Sequence, residues 1–155
     1  MSIVASKDGT IIYDPTSPAK ILTTKLIQVG KLIKIENVHL ATFSNGLGTG
    51  STFATRPAVT YRIGDGTTPP NSLTPFQYPV GNPEPAAQYT FVKAVEFSPR
   101  GEGRIDNSTS SYPLQAAAEI GLEPTHGNVT PNPTPANLVA IQFTGLSGDV
   151  KIYRR

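Results

Sequence analysis

The last eighteen residues, Leu138-Val-Ala-Ile-Gln-Phe-Thr-Gly-Leu-Ser-Gly-Asp-Val-Lys-Ile-Tyr-Arg-Arg155, restrict the fold more than any other segment. Val139, Ile141 and Phe143 alternate with Ala140, Gln142 and Thr144, the period of a half-buried strand. Gly145-Leu146-Ser147-Gly148 supplies residues that tolerate positive φ in a tight connection. Val150 and Ile152 then alternate with Lys151 and Tyr153, so the chain returns as a second strand. A terminal hairpin tipped by Lys151, Arg154 and Arg155 sets a basic edge on a β scaffold.

The rest of the chain reads the same way. Gly and Pro number 14 and 15 in 155 residues, well above their average share of about 12%, which predicts many turns and few long helices. Short strands are expected near 10–13, 33–40, 58–63, 89–97, 115–122, 138–144 and 149–153, with one helical turn near 21–28. The segment 89–97 reads as the strongest central strand, and Pro99-Arg-Gly-Glu-Gly103 turns it into a second hairpin. Six prolines between 67 and 87 read as a long surface loop, since proline removes ladder donors. These elements predict a mainly β fold, a sandwich or a curled antiparallel sheet, in one domain spanning 1–155. In that scheme Phe97 and Phe143 are core aromatics, and Gln115, Glu119 and Gln142 sit opposite the apolar alternation.

Few residues offer chemistry. Gly46-Leu-Gly-Thr-Gly50 superficially resembles a dinucleotide fingerprint but has no βαβ context, so a flexible glycine loop is expected. His39 and His126 lack a second ligand at metal spacing and read as a strand and a turn residue. Glu96 and Glu102 are placed to face each other across the second hairpin, as a glycosidase pair would, yet no aromatic platform or tryptophan lies nearby in sequence. An enzyme using Glu96, Glu102 and His126 is the weakest of the readings, because there is no G-x-S-x-G serine and no cysteine. No enzyme activity, cofactor or metal is expected. Asn107-Ser-Thr109 and Asn128-Val-Thr130 match glycosylation sequons, a pattern frequent by chance.

The tail is the one candidate contact surface, for weak DNA or partner binding. Lys151, Arg154 and Arg155 can meet phosphates while Tyr153 stacks a base. The net charge is only +2, and three contacts give a salt slope of about −2 to −3. DNA is thus an unfavoured partner, with binding lost at physiological ionic strength. The alternative is that these cations blunt an exposed edge strand. No apolar run reaches the ~18 residues of a membrane span, and residues 1–155 are expected to be soluble.

Two stretches carry a resemblance. Val92-Lys-Ala-Val-Glu-Phe-Ser-Pro-Arg-Gly-Glu-Gly-Arg-Ile105 is similar to the apolar-x-Phe-x-Pro-x-Gly strand-turn of GspH/FimT-type minor pseudopilins. Asn137 to Arg154 resembles their terminal hairpin, in which a strand enters a Gly-rich turn and returns carrying basic residues. The match is nearest to the pseudopilin-like Verru_Chthon cassette protein D family, through Phe97-Ser-Pro-Arg-Gly101, Glu119-Ile-Gly-Leu122 and Asn137. The resemblance covers about a third of the chain and implies a sandwich-like head of two antiparallel sheets, in agreement with the strand count read from the sequence. It implies a non-catalytic structural subunit of a type II secretion or type IV pilus-like assembly, contacting other pseudopilins. It also implies a periplasmic or cell-surface location and an inner-membrane anchor formed by an N-terminal helix. Residues 1–155 contain neither a prepilin leader nor that apolar helix, so the helix is absent or truncated, and truncation would leave an apolar groove where it packs. The rival from another class is an extracellular ligand-binding or adhesin domain of carbohydrate-binding or phage-tail type, with Tyr61, Phe76, Tyr78 and Tyr89 as its available platform rings.

Overall fold

The computed structural model describes residues 1–155 apart from 2, 11, 15, 60, 65–74, 80–88, 105–116, 128 and 130–135. The fold is mainly β with antiparallel sheets. Its strands, in chain order, are β1 (Val4–Ser6), β2 (Tyr13–Asp14), β3 (Ser17–Ile21), β4 (Leu26–Gln28), β5 (Val38–Leu40), β6 (Tyr61–Ile63) and β7 (Phe76–Tyr78). There follow β8 (Tyr89–Phe91), β9 (Glu96–Phe97), β10 (Gly103–Arg104), β11 (Ala118–Pro124), β12 (Val139–Phe143) and β13 (Val150–Arg154). The helical turn expected near 21–28 is the single 3-10 turn Thr23–Lys25, after which the chain extends into β4.

The largest sheet runs β13-β12-β11-β5, with β6 also on β11. The terminal hairpin forms its outer half, in the register Phe143↔Val150, Ile141↔Ile152 and Val139↔Arg154. The far edge of β11 is shared by two short strands. Antiparallel β5 pairs with Leu122–Pro124 and parallel β6 with Ala118–Ile120. The chain leaves the sheet after Ala41, whose N–H still donates to the Gly121 carbonyl at 3.0 Å, and rejoins it at Tyr61. Gly121 makes that departure possible, because a Cβ there would occupy the Ala41 carbonyl and press on the Phe43 ring.

Four two-stranded ladders complete the described fold: β1-β4, β2-β3, β7-β8 and β9-β10. Ile21, Leu26 and Tyr78 bury one apolar cluster, with Val4, Ile12, Phe76 and Phe91 against it. Ile63, Ala118 and Phe143 form a second, against the large sheet. Two expectations change here. The segment 89–97 is not a central strand: it breaks over Val92–Val95 and contributes β8 and β9 to two separate small ladders. The proline-rich stretch is not all loop, because Phe76–Tyr78, between Pro75 and Pro79, pairs with Tyr89–Phe91. Both sequons and the expected turn at Asp65 extend into undescribed residues.

Candidate functional site

Residues directly opposite in a ladder share a face, so the registers sort the large sheet into two sides. On one lie Ala118, Ile120 and Leu122 of β11, Val139, Ile141 and Phe143 of β12, and Val150 and Ile152 of β13. On the other lie Glu119, Gly121 and Glu123, Ala140 and Gln142, Lys151 and Tyr153. Alternation alone assigns the first side to the core and the second to water. The burial is the reverse along much of the sheet. Glu119 is 1% exposed and Gln142 4%, while Val150 and Ile152 are each 55% exposed.

The cause is the chain between β5 and β6, which crosses the polar side and lowers Arg56 onto it. The guanidinium forms a two-point pair with Glu119: Arg56 Nε donates to Oε2 at 2.7 Å and Nη2 to Oε1 at 3.1 Å. Its remaining donors reach the Phe53 carbonyl and the Ser44 carbonyl, both at 2.7 Å. Gln142 Nε2 donates to Glu119 Oε2 and to the Pro57 carbonyl, both at 2.8 Å. The Phe53 ring lies 4.4 Å from the guanidinium carbon, with Phe43 edge-on to it. Every charge in the cluster therefore has geometry that offsets its desolvation. Its polar atoms bind one another and leave no face for a substrate. The cluster fastens the loop to the sheet.

That fastening changes the reading of the glycine loop. Gly46 to Gly50 is held by Leu47 N–H to Ala54 O, Gly48 N–H to Arg56 O and Thr49 N–H to Thr55 O, at 3.0, 3.0 and 3.1 Å. Gly46 is required because a Cβ would collide with the Arg56 backbone. The segment is a hydrogen-bonded support for Arg56, where a flexible loop was expected. Sequence reasoning missed the Arg56–Glu119–Gln142 cluster. Its one sequence signal is that Glu119 and Gln142 interrupt two otherwise apolar strands, which does not point to Arg56.

At the end of the apolar side the second hairpin meets the first. Gly103 N–H donates to the Gly145 carbonyl at 3.0 Å, and the Phe97 and Phe143 rings sit 5.6 Å apart. Gly148, at φ 67°, lies against Gly101, at φ 86°, so closely that a Cβ on it would enter the Gly101 carbonyl. The two stretches that carry the resemblance thus pack together through their turns. Phe143 is buried at 2% exposure, but Phe97 is 53% exposed and caps the cluster from outside. The expectation that Phe97 is a core aromatic is corrected accordingly.

The remaining candidates separate in space. Glu96 and Glu102 do not oppose each other: β9-β10 pairs Glu96 with Arg104, and Glu102 lies beside Ser98, whose hydroxyl is 3.3 Å from its carboxylate. His39 is in β5 across from Glu123, and His126 is in a separate turn bridged to Val129. Among the described residues no group of three His, Asp or Glu side chains is placed to hold a metal. In the tail, Lys151, Arg154 and Arg155 are exposed, but Tyr153 is 4% exposed and faces the loop side opposite Ala140. Its ring is not offered to a base, and Lys151 and Arg154 leave opposite faces of β13, so the four residues do not form one stacking and phosphate-binding patch. Of the platform rings, Tyr78 is buried, Phe76 stacks on Phe91 at 5.7 Å, and Tyr89 is exposed. The Tyr61 side chain lies outside the described residues.

No family model matches the chain, and no curated protein or solved structure matches it.

Proposed function

We propose that the chain is the head domain of a minor pseudopilin, a non-catalytic subunit of a type II secretion or type IV pilus-like assembly. The observation that carries this reading is the open apolar side of the large sheet. Val150 and Ile152 on one edge and Val38 on the other are largely exposed, with Ile141, Val139, Leu122 and Leu40 half-buried between them. An apolar sheet face in water is unusual for an isolated domain and marks a surface that receives another element. In the family resembled, that element is the N-terminal helix, whose first half enters the inner membrane and whose second half lies on the head. On this reading that helix precedes residue 1; among the described residues no helix is long and apolar enough to cross a membrane. The docking of Gly101–Gly103 against Gly145–Gly148 adds support, because it brings the two resembling stretches into one unit.

On this reading the working partners are other pseudopilins, reached outside the inner membrane, and neither a cofactor nor DNA is needed. The ligand-binding alternative draws less support, since Tyr78 is taken up by the core and Phe76 by Phe91. The test is the coding sequence preceding codon 1 in the gene. A short basic leader followed by about 20 apolar residues is expected. A stop codon, or an upstream segment of polar composition, would overturn the proposal.

A further inference from the structure

We propose that two copies of this chain join through β13, antiparallel and centred on Ile152, so that their large sheets run on as one. Among the described residues β13 pairs with β12 alone, so its outer side is a sheet edge. Two hydrogen bonds fix which backbone groups face outwards. Thr144 N–H donates to the Asp149 carbonyl at 2.9 Å and Arg155 N–H to the Leu138 carbonyl at 3.0 Å. The odd-numbered residues of the strand therefore face β12, and Val150, Ile152 and Arg154 turn N–H and C=O outwards. The strand contains no proline, is paired to β12 without a register break, and carries half-exposed Val150 and Ile152. Such an edge is a template for another strand.

Charge selects the partner and the register. An antiparallel copy must set outward residues against outward residues, and pairing at least two of the three outward residues of β13 allows twofold centres at Lys151, Ile152 or Tyr153. A centre at Lys151 puts that ammonium against its own copy, and a centre at Tyr153 sets Lys151 against Arg155. Both are like-charge oppositions, which are unfavourable in directly facing pairs. A centre at Ile152 sets Val150 against Arg154, Lys151 against Tyr153 and Asp149 against Arg155. Asp149 and Arg155 are both exposed and carry opposite charge, and the twofold axis makes that contact twice. Each outward pair, Val150 with Arg154 and Ile152 with itself, then exchanges two backbone hydrogen bonds. The side chains stay in phase, because Ile152 meets Ile152 on the apolar side and Lys151 meets Tyr153 on the other. Lys151, which would repel most strands, thus acts to reject the wrong registers.

Sedimentation equilibrium of the full chain from micromolar to millimolar concentration at low salt tests this. A monomer–dimer equilibrium is expected for the unmodified protein. Arg155→Asp alone sets Asp149 against an aspartate, and Asp149→Lys alone sets a lysine against Arg155, so each should weaken self-association by roughly tenfold from the loss and reversal of two exposed pairs. Mixed, the two variants restore both contacts and should associate with each other more tightly than either does with itself. Circular dichroism checks that each is folded. A protein that remains monomeric at about 1 mM overturns the proposal, because concentrations of that order suffice for even weak pairing. So does a dimer indifferent to both charge changes, which would place the contact on the apolar face, or a mixture that fails to associate.

Discussion

The two sides of the large sheet are made from the same strands, residue by residue in alternation, yet one is dry and polar and the other apolar and partly wet. Glu119 and Gln142 are among the most buried side chains, and Ile152, one strand over, is half in water. Alternation records that a strand has two sides. It does not record which side the rest of the chain will cover. Here Arg56, 63 residues from Glu119 in sequence, decides the matter. A loop held by a two-point ion pair and two carbonyl contacts closes the polar side, and the apolar side is left partly exposed. A buried ion pair contributes little net stability against an apolar replacement but costs heavily when half of it is removed. Its value is in defining which loop lies on which face.

The contrast is broken most forcefully at Arg56. Arg56→Met strands the Glu119 carboxylate in a dry site and is expected to destabilise the fold by about 3–5 kcal/mol in chemical denaturation. Adding Glu119→Leu to the same chain should recover most of that loss, since no unpaired charge remains. Equal losses in the single and double variants would show that packing of the Arg56 stem, and not its charge, closes the polar side.

Next in size is a pair of matched truncations. Phe143→Ala removes a ring buried against Ile63 and Ala118 and should cost about 3–5 kcal/mol. Phe97→Ala removes the ring that touches it from outside, 53% exposed, and should cost about 1–2 kcal/mol in proportion to its smaller buried area. Thermal midpoints that fall equally would mean that Phe97 closes the cluster as fully as Phe143 does.

The open side should tolerate change. Val150→Thr with Ile152→Thr is expected to alter stability by no more than about 0.5 kcal/mol per site, while lowering the fluorescence of a bound hydrophobic dye. A large loss of stability would show that this face is already packed in the isolated chain.

The smallest effect lies outside the sheet and contrasts an exposed carboxylate with the buried Glu119. The Asp8 carboxyl accepts hydrogen bonds from the Thr10 hydroxyl and amide and the Ser6 hydroxyl, which hold its pKa down from the usual 3.8 to about 2. A depressed carboxyl stabilises the turn at pH values above its ordinary pKa, and the contribution is lost as pH falls through the folded value. The Thr10 amide resonance should thus titrate with a midpoint near pH 2, well below the usual carboxylate range, and Asp8→Asn should remove most of that movement.

Much of the fold was legible because it is local. The β12-β13 hairpin follows from alternation on either side of Gly145–Gly148, and β9-β10 from Pro99 to Gly103. What depended on distant partners was not legible. Phe76–Tyr78 sits among prolines and is a strand only because Tyr89–Phe91 pairs with it. The apolar run 89–97 promised one long strand, but its two ends serve different ladders. Tyr153 reads in sequence as a surface ring beside arginines, but its register opposite Ala140 buries it beneath the loop side. The Arg56 cluster is the extreme case, since Ser44, Phe53, Arg56, Glu119 and Gln142 belong to one structure and share no periodicity.

The polar side of the large sheet is closed and the apolar side open, and solvent exposure read by NMR with a soluble paramagnetic probe measures both at once. At monomer concentrations the Val150 and Ile152 methyl signals should be strongly attenuated. The Arg56 Nε–H and Gln142 side-chain amide signals should persist, with slow hydrogen exchange. Protected Val150 and Ile152 methyls together with a rapidly exchanging Arg56 Nε–H would contradict the account, because the strands would then present to water the side that alternation alone assigns.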